Sequence, residues 1–163
     1  MNKHSPHRDG SARLRRGRHS AVGQIYLVTF TTTRRVRFFD SWDLALAATR
    51  VSVVPDIWRD SRLMCWVLMP DHWHGLLELG GSEPLSMLIG RLKAATAHAV
   101  NDARGGRGSI WAEGFHDHAI RADEDLVACA RYIVLNPVRA GLARGVGQYP
   151  FWDAIWIDGG NRG

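Results

Sequence analysis

What this sequence is short of narrows its class before any motif is read. It has two cysteines, Cys65 and Cys129, with no CxxC pair and no Cys/His cluster of zinc spacing, which excludes a disulfide framework and a structural zinc fold. Both thiols read as reduced core residues without a role. No apolar run reaches the roughly 18–20 residues of a membrane helix. The first twenty residues are rich in arginine and hold no apolar signal core, so the expectation is a cytoplasmic protein without a membrane partner. There is no GxxxxGK loop to cradle a nucleotide. The chain's 163 residues, 45% hydrophobic and 23% charged, suit one hydrophobic core and not two.

Lysine is the other scarcity. Of 21 basic residues only Lys3 and Lys93 are lysine, and the other 19 are arginine. That bias suits bidentate phosphate and base contacts, although a GC-rich genome produces the same enrichment. The charge is also unevenly placed: residues 1–20 hold Lys3, Arg8, Arg13, Arg15, Arg16 and Arg18 against a single acidic residue, Asp9, while the remainder has 15 basic and 15 acidic residues. The whole excess of +5 therefore lies in the first twenty residues. We read 1–22 as a flexible basic arm able to track a phosphate backbone and 23–163 as a single folded domain; the plainer reading of the arm is a solubilising tail.

Along the domain, Ile25 to Thr33 is dense in β-branched and aromatic residues and reads as a strand. Asp40 or Ser41 can cap a helix from about Trp42 to Arg59, kinked or split at Val54-Pro55. Arg62–Met69 and His72–Leu79 form a hairpin across Pro70-Asp71. A helix opening at Ser82 or Glu83 runs to about Asn101 and closes in the glycine-rich stretch 104–108. Phe115–Arg121 is a fourth strand, and Asp123 caps a last helix that carries Tyr132 and runs a little beyond it. The order is βαββαβ plus a helix: an α+β, ferredoxin-like antiparallel sheet with an additional C-terminal helix bearing the tyrosine.

Three groups of residues can carry chemistry. His72 and His74 flank Trp73 in a strand, so both imidazoles share one face while the indole takes the other. That geometry suits a metal, and equally suits two buried, hydrogen-bonded histidines; two ligands alone leave a metal under-coordinated. Tyr132 and Asn136 stand four apart on the last helix and share a face if the helix holds that far. An amide there can complete a metal site, but Asn136-Pro137 followed by Gly141 also reads as the cap, first turn and terminator of a short helix. A tyrosine beside a two-histidine metal centre has a use, because a cation that draws charge from a phosphate makes phosphorus more electrophilic. A second pair, His116 and His118, competes for the metal assignment, with a structural role as its alternative. Arg34, Arg35, Arg37, Arg91, Lys93, Arg131 and Arg139 are candidate phosphate contacts, as are Arg13, Arg15, Arg16 and Arg18 of the arm.

Met69-Pro70-Asp71-His72-Trp73-His74-Gly75-Leu76, taken with Arg131-Tyr132 through Asn136-Pro137-Val138-Arg139-Ala140-Gly141-Leu142, resembles the single-tyrosine HUH transposases, and specifically their REP-associated tyrosine transposase branch. The likeness runs from about residue 24 to 156 and does not cover the arm in detail. It implies that His72 and His74 bind a divalent cation (Mg or Mn), that Asn136 is the third ligand where many relatives have glutamine, and that Tyr132 is the nucleophile. The implied activity is a metal-dependent single-stranded DNA endonuclease and strand transferase. It would act at imperfect REP hairpins through a 5′-phosphotyrosine, as a monomer in preference to a dimer. Two other classes fit parts of the pattern: a non-catalytic nucleic-acid-binding module of ferredoxin-like fold, and a phosphohydrolase in which water attacks and Tyr132 is structural.

Overall fold

The computed structural model describes residues 21–156; the arm arginines Arg13, Arg15, Arg16 and Arg18 lie outside them. Five strands form one sheet in the order β4-β1-β3-β2-β5, antiparallel at every pairing. They are β1 (Ile25–Thr31), β2 (Arg62–Met69), β3 (His72–Glu78), β4 (His116–Ala119) and β5 (Trp152–Ala154). The first four have the ferredoxin-like arrangement. The edge strand β5 was not anticipated: its three residues are too few to alternate, and it exists through pairing with Cys65, Trp66 and Val67.

Each strand sends alternate residues to two unlike faces. On one side Tyr26, Val28, Phe30, Trp66, Leu68, Trp73 and Leu77 are buried beneath α1 (Trp42–Ser52) and α3 (Leu85–Arg104). This core is aromatic: Phe30 stacks on Trp73 at 5.1 Å and meets Trp111 edge-on at 4.6 Å. Trp73 lies across Gly75, where a Cβ would fall inside the indole, so the glycine is required by close approach. On the other side Cys65, Val67, Met69 and Leu76 pack against Ala130 and Ile133 of α4 (Leu126–Val134). Burial pushes the Cys65 thiol up to about 12, with the Asp153 charge adding to it, which leaves it unreactive.

The helix expected over Trp42–Arg59 is split at its proline: Val54 is extended, and α2 (Pro55–Trp58) starts afresh, as the restriction on a residue before proline requires. The start of α3 is a correction. It begins at Leu85, after an extended Pro84, because Ser82 gives its amide and hydroxyl to Asp60 and Glu83 is buried in an ion pair with Arg91. The cap of α4 is Asp125 and not Asp123: Asp125 Oδ1 accepts from the amides of Val127 and Ala128, satisfying two orphan donors of the first turn. After α4, Leu135 keeps helical dihedrals and α5 (Asn136–Arg139) continues one turn. Among the described residues no helix is long and apolar enough to cross a membrane.

Candidate active site: a tyrosine over a histidine pair

Strand parity places His72 and His74 on the α4 side of β3, in line with Leu76 and opposite Trp73. His72 Nδ1 donates to Asp71 Oδ1 at 2.8 Å, and in the neutral ring that tautomer leaves a lone pair on Nε2. Burial raises the Asp71 carboxyl, but the His72 hydrogen bond and the charges of Arg35, His72 and Arg37 outweigh this and hold it below its ordinary value. His74 Nδ1 lies 3.2 Å from Thr29 Oγ1 across the β1–β3 pairing. Its Nε2 is buried and has no hydrogen-bond partner among the described residues. Burial pushes the His74 imidazole down to about 4, with the like charges of His72 and Arg139 adding to the effect. The ring is therefore neutral at physiological pH, the form in which imidazole binds metal.

Tyr132 stands on α4 above this pair, 55% exposed, with its ring centroid 6.2 Å from that of His74. Arg139 returns from α5 so that its guanidinium carbon lies 4.0 Å from the centre of the Tyr132 ring, and its Nη2 donates to the Tyr132 carbonyl at 2.6 Å. Asn136 opens α5, half-buried. The N-cap of α5 is Leu135, so the capping position open to Asn136 in the sequence is not the one it takes. Because Leu135 preserves the helical phase, Asn136 follows Tyr132 by one turn on the same face.

The other candidates divide by face. Arg91 and Lys93, read as phosphate contacts, belong to α3 behind the aromatic core. Arg91 holds both Glu83 oxygens and donates to the Ile57 carbonyl. Lys93 donates to the Ala112 and Gly114 carbonyls at 2.7 Å each. Both cations are engaged within the fold, Arg91 by a buried carboxylate and a buried residue's carbonyl and Lys93 by two carbonyls of the segment after α3. Arg34, Arg35, Arg37 and Arg131 are exposed; Arg35 lies 3.5 Å from Asp71 and Arg37 pairs with Asp40. His116 sits opposite Thr29, on the face of the His72/His74 pair, and His118 pairs with Glu124 at 3.0 Å.

Sequence reasoning missed Asp71 and Thr29. Asp71 was in view as a turn residue, and its adjacency to His72 was the available signal. Thr29 could have been found from parity, because Tyr26, Val28 and Phe30 form the apolar register of β1 and leave Thr29 facing away from it. Among the described residues no three His, Cys, Asp or Glu side chains converge on a cation site.

A ferredoxin-like sheet with a histidine pair on one face and a helix-borne tyrosine against it has the layout of the tyrosine transposases. The family model described as "Transposase IS200 like" matches residues 21–135, and the chain belongs to that family. It is 32% identical over 94 residues to the REP-associated tyrosine transposase of Escherichia coli K12, an alignment covering 57% of this chain and 54% of that protein. The chain thus spans about half the length of this curated relative. Among solved structures it is similar to a REP-associated tyrosine transposase bound to a REP hairpin (TM-score 0.63, 25% identity, 83% of this chain and 79% of that one). A Deinococcus radiodurans R1 chain assigned to the transposases shares the fold (TM-score 0.51, 19% identity, 72% and 94% covered).

Proposed function

We propose that the protein is a metal-dependent single-stranded DNA endonuclease and strand transferase acting at REP-type hairpins, with Tyr132 as its nucleophile. The observation that carries this reading is the approach of the Tyr132 ring to His74, whose Nε2 is buried and unpartnered. Attack by the phenol oxygen forms a 5′-phosphotyrosine on the strand lying 3′ of the cut and releases a 3′-hydroxyl on the strand lying 5′ of it, with the phenol proton passing overall to that oxygen. The phosphodiester energy is kept in the link, so resealing by a 3′-hydroxyl needs no nucleotide cofactor.

The donor set fits a divalent cation, Mg or Mn. His72 and His74 would hold it through Nε2, because Asp71 takes Nδ1 of the first and Thr29 lies at Nδ1 of the second. Asn136 would supply an amide oxygen, the rest coming from water and substrate phosphate. When bound, the cation supplies positive charge against the phosphate. The chain itself orients the rings, keeps His74 neutral and presents the phenol from a rigid helix.

Phosphate contacts fall to Arg34, Arg35, Arg37 and Arg131 beside the site and to the arm with Arg13, Arg15, Arg16 and Arg18. Arg34 and Arg35 hold left-handed backbone at φ 52 and 57, a conformation rare outside glycine and concentrated at functional sites. Their loop is tied to the Pro70-Asp71 turn by Thr32, whose amide and hydroxyl both reach the Asp71 carbonyl. Tyr132 meets the histidines of its own chain, which supports a monomer, and we place the protein in the cytoplasm on the nucleoid. The recognition-module reading is less favoured because it needs an open sheet face, and both faces here carry helices.

The test is a denaturing gel of wild type and Tyr132→Phe with a 3′-side-labelled hairpin, in Mn and in EDTA. A protease-sensitive covalent adduct that needs both the metal and Tyr132 is expected. Hairpin binding without an adduct would favour the recognition module, and cleavage by Tyr132→Phe at the wild-type rate would refute the nucleophile.

A further inference from the structure

An exposed tyrosine on a helix has two accessible χ1 wells. Nothing in α4 chooses between them: the flanking buried residues Ala130 and Ile133 face the sheet, and Tyr132 itself is more than half exposed. The choice is made from α5. Pro137, with no amide hydrogen, breaks the hydrogen-bond ladder after α4, and the chain makes one further turn, with Arg139 and Ala140 donating to the Leu135 and Asn136 carbonyls. Gly141 at φ +73 then ends it. This short turn aims Arg139 back along the helix, where it meets both the face of the Tyr132 ring and the Tyr132 carbonyl.

We propose that Arg139 is a positioning residue for Tyr132: its guanidinium, anchored on the carbonyl and laid over the ring of the same residue, holds the phenol in the one rotamer that faces the histidine pair. This rests on Tyr132 being the nucleophile and adds the part that aims it. Arginine is suited because its planar fork can stack and donate together, whereas a lysine in its place would keep the charge and lose the plane. Aiming matters because a misplacement of about 1 Å in a reacting group can slow a reaction on the order of a hundredfold. The competing role, a phosphate contact, needs the same cation to face the DNA backbone and predicts a different pattern of losses.

The experiment compares full-length wild type, Arg139→Gln and Arg139→Lys in two measurements. The first is made without DNA or metal: side-chain NMR couplings of labelled tyrosine, readable because the chain has three tyrosines and Tyr132 is the exposed one beside buried Tyr26 and half-buried Tyr149. The expected result is one χ1 population in wild type, an average of two in Arg139→Gln and an intermediate state in Arg139→Lys. An averaged ring in wild type, or a fixed one in Arg139→Gln, overturns the proposal. The second is single-turnover adduct formation on a saturating REP-type hairpin in Mn. Arg139→Gln is expected to be slower by roughly 10- to 100-fold with hairpin Kd within about twofold of wild type, and Arg139→Lys to lie between them with an unchanged melting temperature. A loss confined to Kd, with a salt slope lower by about 0.7, assigns Arg139 to the DNA backbone and overturns the proposal, as does a wild-type rate. If wild type forms no adduct, the strand-transfer reading fails instead, and the ring measurement still decides Arg139.

Discussion

The two faces of β3 are one residue apart in sequence and differ in almost every physical respect. Toward α1 and α3 the strand presents Trp73, Gly75 and Leu77, and Trp73 is 1% exposed, stacked on Phe30 and seated over a glycine. Toward α4 it presents His72 and His74, half-buried, and the Nε2 of His74 has no hydrogen-bond partner among the described residues. The cations divide the same way: Arg91 and Lys93 serve backbone carbonyls and a buried carboxylate on the first side, while Arg131 and Arg139 lie at or beside the tyrosine on the second. The first face spends its polar groups on the fold and the second holds them back. Stability and activity should therefore respond to different substitutions within a single heptapeptide.

Trp73→Ala breaks the first face most directly. A buried tryptophan truncated to alanine costs about 3–5 kcal/mol, enough to lower the melting temperature of a chain this size by about 10 °C or more, readable by calorimetry. Trp73→Phe should cost less than half of that, because it keeps the stack on Phe30 and removes a buried indole N–H that has no partner. Equal losses for the two would show that the ring is not what seals the face.

Arg91→Gln is next, at about 2–3 kcal/mol, since it strips the main partner from Glu83, whose side chain is 3% exposed. The Arg91 hydrogen bond, acting against burial and helped by the Arg91 and Arg59 charges, holds the Glu83 carboxyl below its ordinary value of 4.5. A depressed carboxylate contributes stability that is present above the unfolded pKa and lost as pH falls through the folded one. Denaturant titration of wild type from neutral pH to below 4.5 should show that acid loss, and Glu83→Gln should reduce it. An unchanged acid slope in Glu83→Gln would remove the pair from the account.

What could be read in advance divides along the same line. The sheet order, the hairpin at Pro70-Asp71, the break at Pro55 and the burial of Trp73 follow from local chemistry: β-branched runs, a proline's missing amide, a period of two. The common face of His72 and His74 was legible for the same reason. The internal partners of Arg91 and Lys93 were not legible, because charge on a helix is visible in sequence and the acceptor that engages it is not. The β5 strand is too short to carry a pattern, and the cap of α4 was hidden between two aspartates, Asp123 and Asp125, either of which can cap. Glu124 between them is held by His118 and by the Arg121 amide.

Substitutions under the histidines should reverse the signature of Trp73→Ala. Asp71→Asn and Thr29→Val remove the groups at Nδ1 of His72 and His74, and such partners of metal-binding histidines are worth about 10- to 100-fold in metal affinity or activity. The expected outcome is a raised Mn requirement for adduct formation, titrated metal by metal concentration, with melting temperature changed by no more than about 4 °C. Wild-type Mn dependence in both variants would mean that these hydrogen bonds do not orient the rings for a cation.

The smallest effect is the sharpest test of the division between faces. Arg131 neighbours Tyr132 and is exposed, so Arg131→Gln should change stability by less than about 0.5 kcal/mol. If it meets a phosphate of the single strand, the slope of log affinity against log salt should fall by about 0.7, measured by hairpin titration at several salt concentrations. Arg91→Gln, despite its larger loss of stability, should leave that slope unchanged at temperatures where it remains folded. The two arginines are alike in type and charge, so opposite outcomes would come only from which side of the sheet each occupies. A lowered slope in Arg91→Gln would place DNA on the aromatic side, and the assignment of the α4 face as the nucleic-acid surface would have to be abandoned.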